Sequence, residues 1–416
     1  MISPLLALLL GVPRIASSVS VERTILERTV VERTVVERTV VERTVVERTA
    51  VECSVVERTK MYIHVMPWFE ITGNRYGFHW AMNKSTKELQ ESGKVASHYR
   101  PLIGAYDSLD PDVIELQVGW MKVAGFDGVL ADWYGTQSHY DYPVIHARTT
   151  ALFDSCDRFR LKYSVVYEDQ TVKNAINGKL VDSDQTGRIV SETAEFLKKA
   201  WFTRPNWIQI KGKPALFVFG PQFFDEKEWL KLSQTSGGMS LVTLNEQKPY
   251  AAGGFDWPVP SQGLGFTERF PERSKNWGYR VPVAYPRFHD FYVQGGNPTG
   301  YPLLPDNDGR TYRQTLERAL KSGAEMLQVA TWNDWQEGTQ IEPSIEFGLR
   351  DLKVTQEFRR QQDPSFPFSE SDLELPFRLY KLRKKGKSAA MLDRVSLALQ
   401  QSQPSTARTL LNQIEN

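Results

Sequence analysis

Eight short apolar runs recur along this chain, and helical patterns separate them. The runs are MYIHVM (61–66), FDGVLADW (126–133), LKYSVVYE (161–168), PALFVFG (214–220), SLVTLN (240–245), GGFDWPV (253–259), VPVAYP (281–286) and EMLQVATW (325–332). Strands that are apolar at nearly every position are buried on both faces, and the helices between them are what cover those faces. Asp110 and Pro111 open the helical pattern DPDVIELQVGWMKVAG as N-cap and first-turn residue, and Gly323 closes TYRQTLERALKSG. Eight such units predict an α/β fold, a (β/α)8 TIM barrel over residues 61–360, in preference to an open sheet. No GxGxxG follows any run to support a dinucleotide fold. The sixth run is the weakest of the eight.

The segments flanking the barrel read differently. MISPLLALLLGVPRIASS, within residues 1–20, has an apolar core of signal-peptide length but lacks the charged n-region. A cleaved signal would place the chain outside the cytoplasm; without one it is expected inside. The run falls short of the roughly 20 apolar residues that cross a bilayer, so no stable membrane insertion is expected. From Val21 to Lys60 come eight pentapeptide units of the VERTV type. A period of five keeps no residue on one side of either a helix or a strand, so these residues are expected to be disordered or loosely helical, with the folded protein starting at Met61. Residues 361–416 read as a proline-bearing linker and a helical hairpin packed on the barrel.

Charge excludes several functions. With 51 Lys and Arg against 50 Asp and Glu, the formal net charge is +1, and nothing in it calls for nucleic acid or a membrane surface. The basic run RLYKLRKKGK (378–387) reads as a solvated helix face. Cys53 and Cys156 form no disulfide framework. The six histidines show no HxH, HExxH or HxxE pattern, and there is no P-loop and no GxSxG elbow, so no metal, cofactor or acyl-transfer site is expected. The chain is expected to be a monomer.

Active sites of such barrels sit just past the C-terminal ends of the strands. There the chain places Trp68 and Glu70, then Asp132, Trp133 and Tyr134, then Tyr167, Glu168 and Asp169. Asp256 and Trp257 follow the sixth run, His289 and Asp290 the seventh, and TWNDWQEGTQIEP (331–343) ends the eighth. Carboxylates among aromatic planes suit glycosidic chemistry: one acid to protonate a leaving oxygen, a second to take a proton or supply charge, and flat faces to hold the ring.

Two of these stretches, HYRPLIGAYDSLDPDVIELQVGWMKVAGFDGVLADWYG (98–135) and WNDWQEGTQIEP (332–343), resemble the family 71/99-like glycoside hydrolases, whose best known branch is the family 99 endo-α-mannosidases. The resemblance implies a (β/α)8 glycoside hydrolase barrel acting on an α-linked glycan, with catalytic carboxylates at Asp334 and Glu337. It implies that Glu337 is the general acid/base and that Asp334 serves as base toward the sugar's own 2-hydroxyl, with overall retention. It makes Trp133 and Tyr134 ring platforms and places Trp68, Tyr106 and Glu168 at the substrate. By their place past the strand ends, Trp257, His289, Trp332, Asn333 and Trp335 are further candidates for substrate contact. The family motif has Glu where this chain has Asp334, a retraction of about 1.5 Å, and a misplacement of about 1 Å can cost on the order of 100-fold in rate. Two alternatives therefore stand beside the hydrolase: a glycan-modifying transferase of polysaccharide biosynthesis, and a non-catalytic carbohydrate-binding relic of the same barrel.

Overall fold

The computed structural model describes residues 58–416, so the expectations for the signal-like run and for the repeat up to residue 57 lie outside the described residues. All eight apolar runs contain strands, labelled here β1 Lys60–Val65, β2 Gly128–Trp133, β3 Lys162–Tyr167, β4 Lys213–Val218, β5 Ser240–Leu244, β6 Gly253–Phe255, β7 Arg280–Val281 with Val283–Ala284, and β8 Met326–Val329. Every neighbouring pair is parallel, and β8 returns to β1 with Met61 opposite Leu327. Closure runs through β7, which Pro282 divides. Its first half pairs with β6 and its second with β8, because a proline in mid-strand has no N–H to give a ladder.

The longer helices are α1 Pro111–Ala124, α2 Tyr142–Phe159, α3 Gln170–Asn177, α4 Thr186–Phe196, α5 Glu226–Thr235, α6 Arg310–Lys321 and α7 Arg350–Gln362. Beyond them come α8 Leu375–Lys384, α9 Ala389–Gln400 and α10 Pro404–Glu415. α1 starts as its sequence predicts: the Asp110 side chain accepts from the Asp112 N–H, Pro111 fills the first turn, and Gly125 closes the helix at φ 97°.

Side chains alternate across each strand and build two cores. One lies inside the barrel and includes Leu130, Val166, Phe217, Val242 and Phe255. The other lies between strands and helices and includes Val129, Ala131, Val165, Leu216 and Val329, and it continues into α8 to α10 through Leu379, Leu399 and Leu411. The basic run at 378–387 is not simply a solvated face. Lys384 pairs with Asp110 at 2.7 Å and Asp112 at 2.9 Å, Arg383 with Glu115 and Arg378 with Glu415, which clamps α8 between α1 and α10. The fold also starts before Met61. The Thr59 hydroxyl donates to the Ala324 carbonyl, and Arg58 forms a two-pronged pair with Asp127 at 2.7 and 2.8 Å.

Candidate active site

Past the end of β8, residues 331–343 turn back across the barrel mouth. The Thr331 hydroxyl holds the turn by accepting from the Asp334 N–H at 2.8 Å and meeting the Thr339 hydroxyl at 2.9 Å. The turn sets Asp334 and Glu337 on one side of the loop, and Asp334 Oδ1 accepts the Glu337 N–H at 3.0 Å. Glu337 Oε1 accepts from the Tyr292 hydroxyl at 2.9 Å, and its carbonyl is held by the His289 N–H. Asp132 and Glu168, the inward residues at the ends of β2 and β3, bring two more carboxyls to the same place.

Their environments separate these acids. Burial is the main cause throughout, because an ionised carboxylate loses hydration. It pushes Asp334 up to about 6, opposed by the N–H groups of Glu337 and Gln336. Burial, then the charge of Asp334, lifts Glu337 well above the usual range, with the Tyr292 hydroxyl opposing. Glu168 rises to about 7 through burial, and Asp132 rises well above its ordinary value through burial followed by the charges of Glu168 and Asp334. Burial and the neighbouring Asp334 charge thus favour the proton on Glu337, while the N–H groups of Glu337 and Gln336 favour charge on Asp334. Two carboxyls whose environments push them apart in this way are equipped for base and acid work.

A second group of residues holds the loop. Asn333 Oδ1 accepts the Met66 N–H at 2.8 Å and its Nδ2 donates to the Met66 carbonyl at 2.9 Å, so a side-chain amide supplies one more rung beyond the end of β1. Glu342 accepts from the Tyr106 hydroxyl at 2.7 Å, Gln117 Nε2 at 2.8 Å and the Trp335 indole at 3.1 Å. Burial pushes its carboxyl up to about 7. Tyr106, Asn333 and Trp335, expected at the substrate, are thus buried braces of the loop.

The aromatic expectations divide. Tyr134 is half-buried beside Glu168 and Asp132, and Trp68 lies 6.3 Å from it, ring to ring, stacked on His79 at 4.3 Å. Burial holds the His79 imidazole down at about 3, so it meets Trp68 uncharged. Trp133 is a correction: it is fully buried in the helix-side core, 5.0 Å from Trp201 and 5.3 Å from Tyr167. Neighbours in a strand face opposite ways, so with Asp132 inward Trp133 cannot be a platform. Trp332 is corrected likewise, buried on the helix side with Trp120 at 6.5 Å. Trp257 does face the barrel interior, but His64 at 4.8 Å and Phe219 at 5.1 Å cover it. Asp256 points the other way and pairs with Arg273. His289 stacks on His98 at 3.6 Å and meets the Tyr99 hydroxyl at 3.2 Å, so its contact with the site is through its backbone. Tyr292 and Glu342 were missed: the first sits in an irregular loop without periodicity, and the second stood inside the quoted motif without an assigned part.

No family model matches the chain. In sequence it is similar to a glycoprotein endo-alpha-1,2-mannosidase-like protein of Danio rerio, 24% identical over 281 residues that make up 60% of each chain. The glycoprotein endo-alpha-1,2-mannosidase of Mus musculus is 22% identical over 303 residues, 64% of this chain and 62% of that one. The chain thus spans about three fifths of the length of the curated relatives it matches. In fold it is similar to the GH99 endo-alpha-mannosidase from Bacteroides thetaiotaomicron, with TM-score 0.57 and 16% identity over 73% of this chain and 98% of that one. The chain resembles the family 99 endo-α-mannosidases in sequence and in fold. A second solved structure, a glycoside hydrolase-like protein, is similar with TM-score 0.54 and 14% identity over 73% of this chain and 94% of that one. The likeness leaves this chain's own acids to be read from their surroundings.

Proposed function

We propose that the chain is a retaining glycoside hydrolase that cleaves an α-mannosyl linkage in a glycan at the mouth of the barrel. The observation that carries this reading is the pair Asp334 and Glu337, one loop turn apart and joined by the Glu337 N–H on Asp334 Oδ1 at 3.0 Å, with burial and the Asp334 charge both favouring the proton on Glu337. Glu337 protonates the departing glycosidic oxygen as the bond from it to the anomeric carbon breaks. Asp334 takes the proton of the 2-hydroxyl, whose oxygen closes on the anomeric carbon as a 1,2-anhydro sugar; water then opens that ring with the two carboxyls exchanging duties. Tyr134 and Trp68 are the ring platforms in this reading. The sugar class rests on the endo-alpha-mannosidase relatives.

One observation favours the binding relic. Asp334 is shorter than the family's Glu, and its Oδ1 is already engaged by the Glu337 N–H. Reducing-sugar release and binding are therefore measured together on α-mannans and mannose-rich N-glycans. Hydrolysis whose kcat/KM rises through about pH 6, as Asp334 ionises, supports the proposal. Saturable glycan binding with no release under any condition overturns it and leaves the relic.

A further inference from the structure

Beneath the barrel, at the N-terminal ends of β1 and β2, lies a cleft of about 210 Å³. It is lined by four cations, Arg58, Lys122, Arg160 and Arg359, and by two acids, Asp127 and Asp363. Strands of six residues rising about 3.3 Å each put it roughly 20 Å from the carboxyls of the mouth.

The acids in this cleft are already engaged. Asp127 accepts two bonds from Arg58, one from Arg359 Nη2 at 2.9 Å and one from the Met61 N–H at 2.8 Å. Asp363 Oδ1 accepts from the Ser365 N–H at 3.0 Å and hydroxyl at 2.6 Å. Lys122 and Arg160 form no ion pair among the described residues, where the cleft's pairs are those of Arg58 and Arg359 to Asp127.

Helix ends account for part of this. Lys122 stands in the last turn of α1, Arg160 caps α2 and Arg359 stands in the last turn of α7, where partial negative charge favours a cation. The helix ends do not account for Arg359 itself. Its side chain is 4% exposed, and Nε and Nη1 are buried with no hydrogen-bond partner among the described residues. Gly125, at φ 97°, is what lets the arginine lie there: a Cβ at that position would come within 2.6 Å of the Arg359 stem. Buried polar groups without partners are rare, and Asp127, the counter-charge of Arg359, is shared with Arg58, so one acid answers two cations. Burial lowers both Lys122 and Arg359, and the neighbouring cations Arg160 and Arg58 press in the same direction.

We infer that this cleft is a binding site for a small doubly charged tetrahedral oxyanion, either free phosphate or the phosphate of a small monoester, held by Arg359, Lys122 and Arg160. Four cations against two acids leave two positive charges for it to match, and guanidinium groups suit phosphate oxygens in geometry as well as charge. The inference does not rest on the proposed hydrolysis, since the two sites lie at opposite ends of the barrel.

The test is calorimetric titration of the full chain with inorganic phosphate and, in a second arm, glycerol phosphate, each against chloride at matched ionic strength. Saturable one-to-one binding and a rise in Tm are expected, with the tighter arm identifying the source. Lys122→Met and Arg160→Gln each lie at the rim and should weaken binding about tenfold while leaving the Tm without phosphate unchanged. Arg359→Met removes binding, and since it also strips a partner from Asp127, the two rim variants keep the test decisive if it fails to fold. Absence of saturable binding in both arms overturns the inference. So does binding that neither rim variant weakens.

Discussion

At the mouth of the barrel Asp132, Glu168, Asp334 and Glu337 lie together, none bonded to a lysine or arginine among the described residues, and all four carboxyls are held above their usual range. At the opposite face Asp127 is also largely buried, yet Arg58 and Arg359 hold it below that range. Burial raises the proton affinity of all five; what differs is the partner. Where guanidinium groups answer the carboxylate, the acid fastens the end of β1 to α7. Where acids face one another, the same kind of residue stays ready to exchange a proton. The barrel thus keeps its ion-paired acid at one end and its unpaired acids at the other.

The contrast can be broken in graded ways. Glu337→Gln should cost the largest factor, on the order of 100- to 10,000-fold in turnover on natural glycans, and much less on an aryl glycoside whose leaving group needs no proton. Its Tm should stay within about 2 °C of the parent, read by calorimetry; undiminished turnover would remove Glu337 from the mechanism. Asp127→Asn should do the reverse. It leaves buried Arg359 without a counter-charge, at a cost of about 3 kcal/mol, and lowers Tm by several degrees while kcat on the surviving fold stays near the parent value.

A smaller effect is expected at Glu342→Gln, which sets an amide N–H against donors from Tyr106, Gln117 and Trp335. Turnover should fall about tenfold as the loop loosens, since a displacement of about 1 Å is felt in rate, with only a modest loss of Tm. The smallest effect concerns pH. Asp334, Glu168 and Glu342 have folded values of about 6, 7 and 7, above their values in the unfolded chain. The folded protein then binds protons that the unfolded chain has released, so the stability they contribute is whole below about pH 4 and is lost as pH rises through about 7. Asp127 works in the other direction, and only at lower pH. A Tm higher at pH 5 than at pH 8 is expected, and removing Glu342 as Gln should flatten that slope; a Tm that climbs from pH 5 to 8 would mean the mouth is wetter than its packing implies.

How much of this the sequence could tell depended on what each position needed to be read. The eight runs were legible because apolar density alone marks a doubly buried strand, and α1 because its cap and first turn are local. The catalytic candidates at 334 and 337 stood in a long motif. The errors came where two neighbours were assigned one direction: Asp132 and Trp133 share a strand, and alternation sends only one of them inward. Asn333 and Trp335 read as substrate contacts because polar and aromatic residues at a barrel mouth suit binding, and Tyr106 does so through the family resemblance, whereas their partners, Met66 and Glu342, are fixed by the tertiary fold. Arg359 and Asp127 are 232 residues apart, and no local pattern joins them.

The break in β7 has one more consequence. Each half of that strand contributes two residues to a single neighbour, so the cylinder is fastened here by two short sets of rungs on either side of Pro282, while β2 and β3 share six paired positions. The pairing of β3 with β4 is equally short at two positions, but only β7 is interrupted by a proline, and thermal opening of the sheet is expected to start along that broken line. In heavy water the amides of Val281 and Ala284 would trade their hydrogens sooner than those of Val129 and Val165. A chain rejoined end to end and recut in the loop before β7 would place its new termini beside the place where the wall already parts.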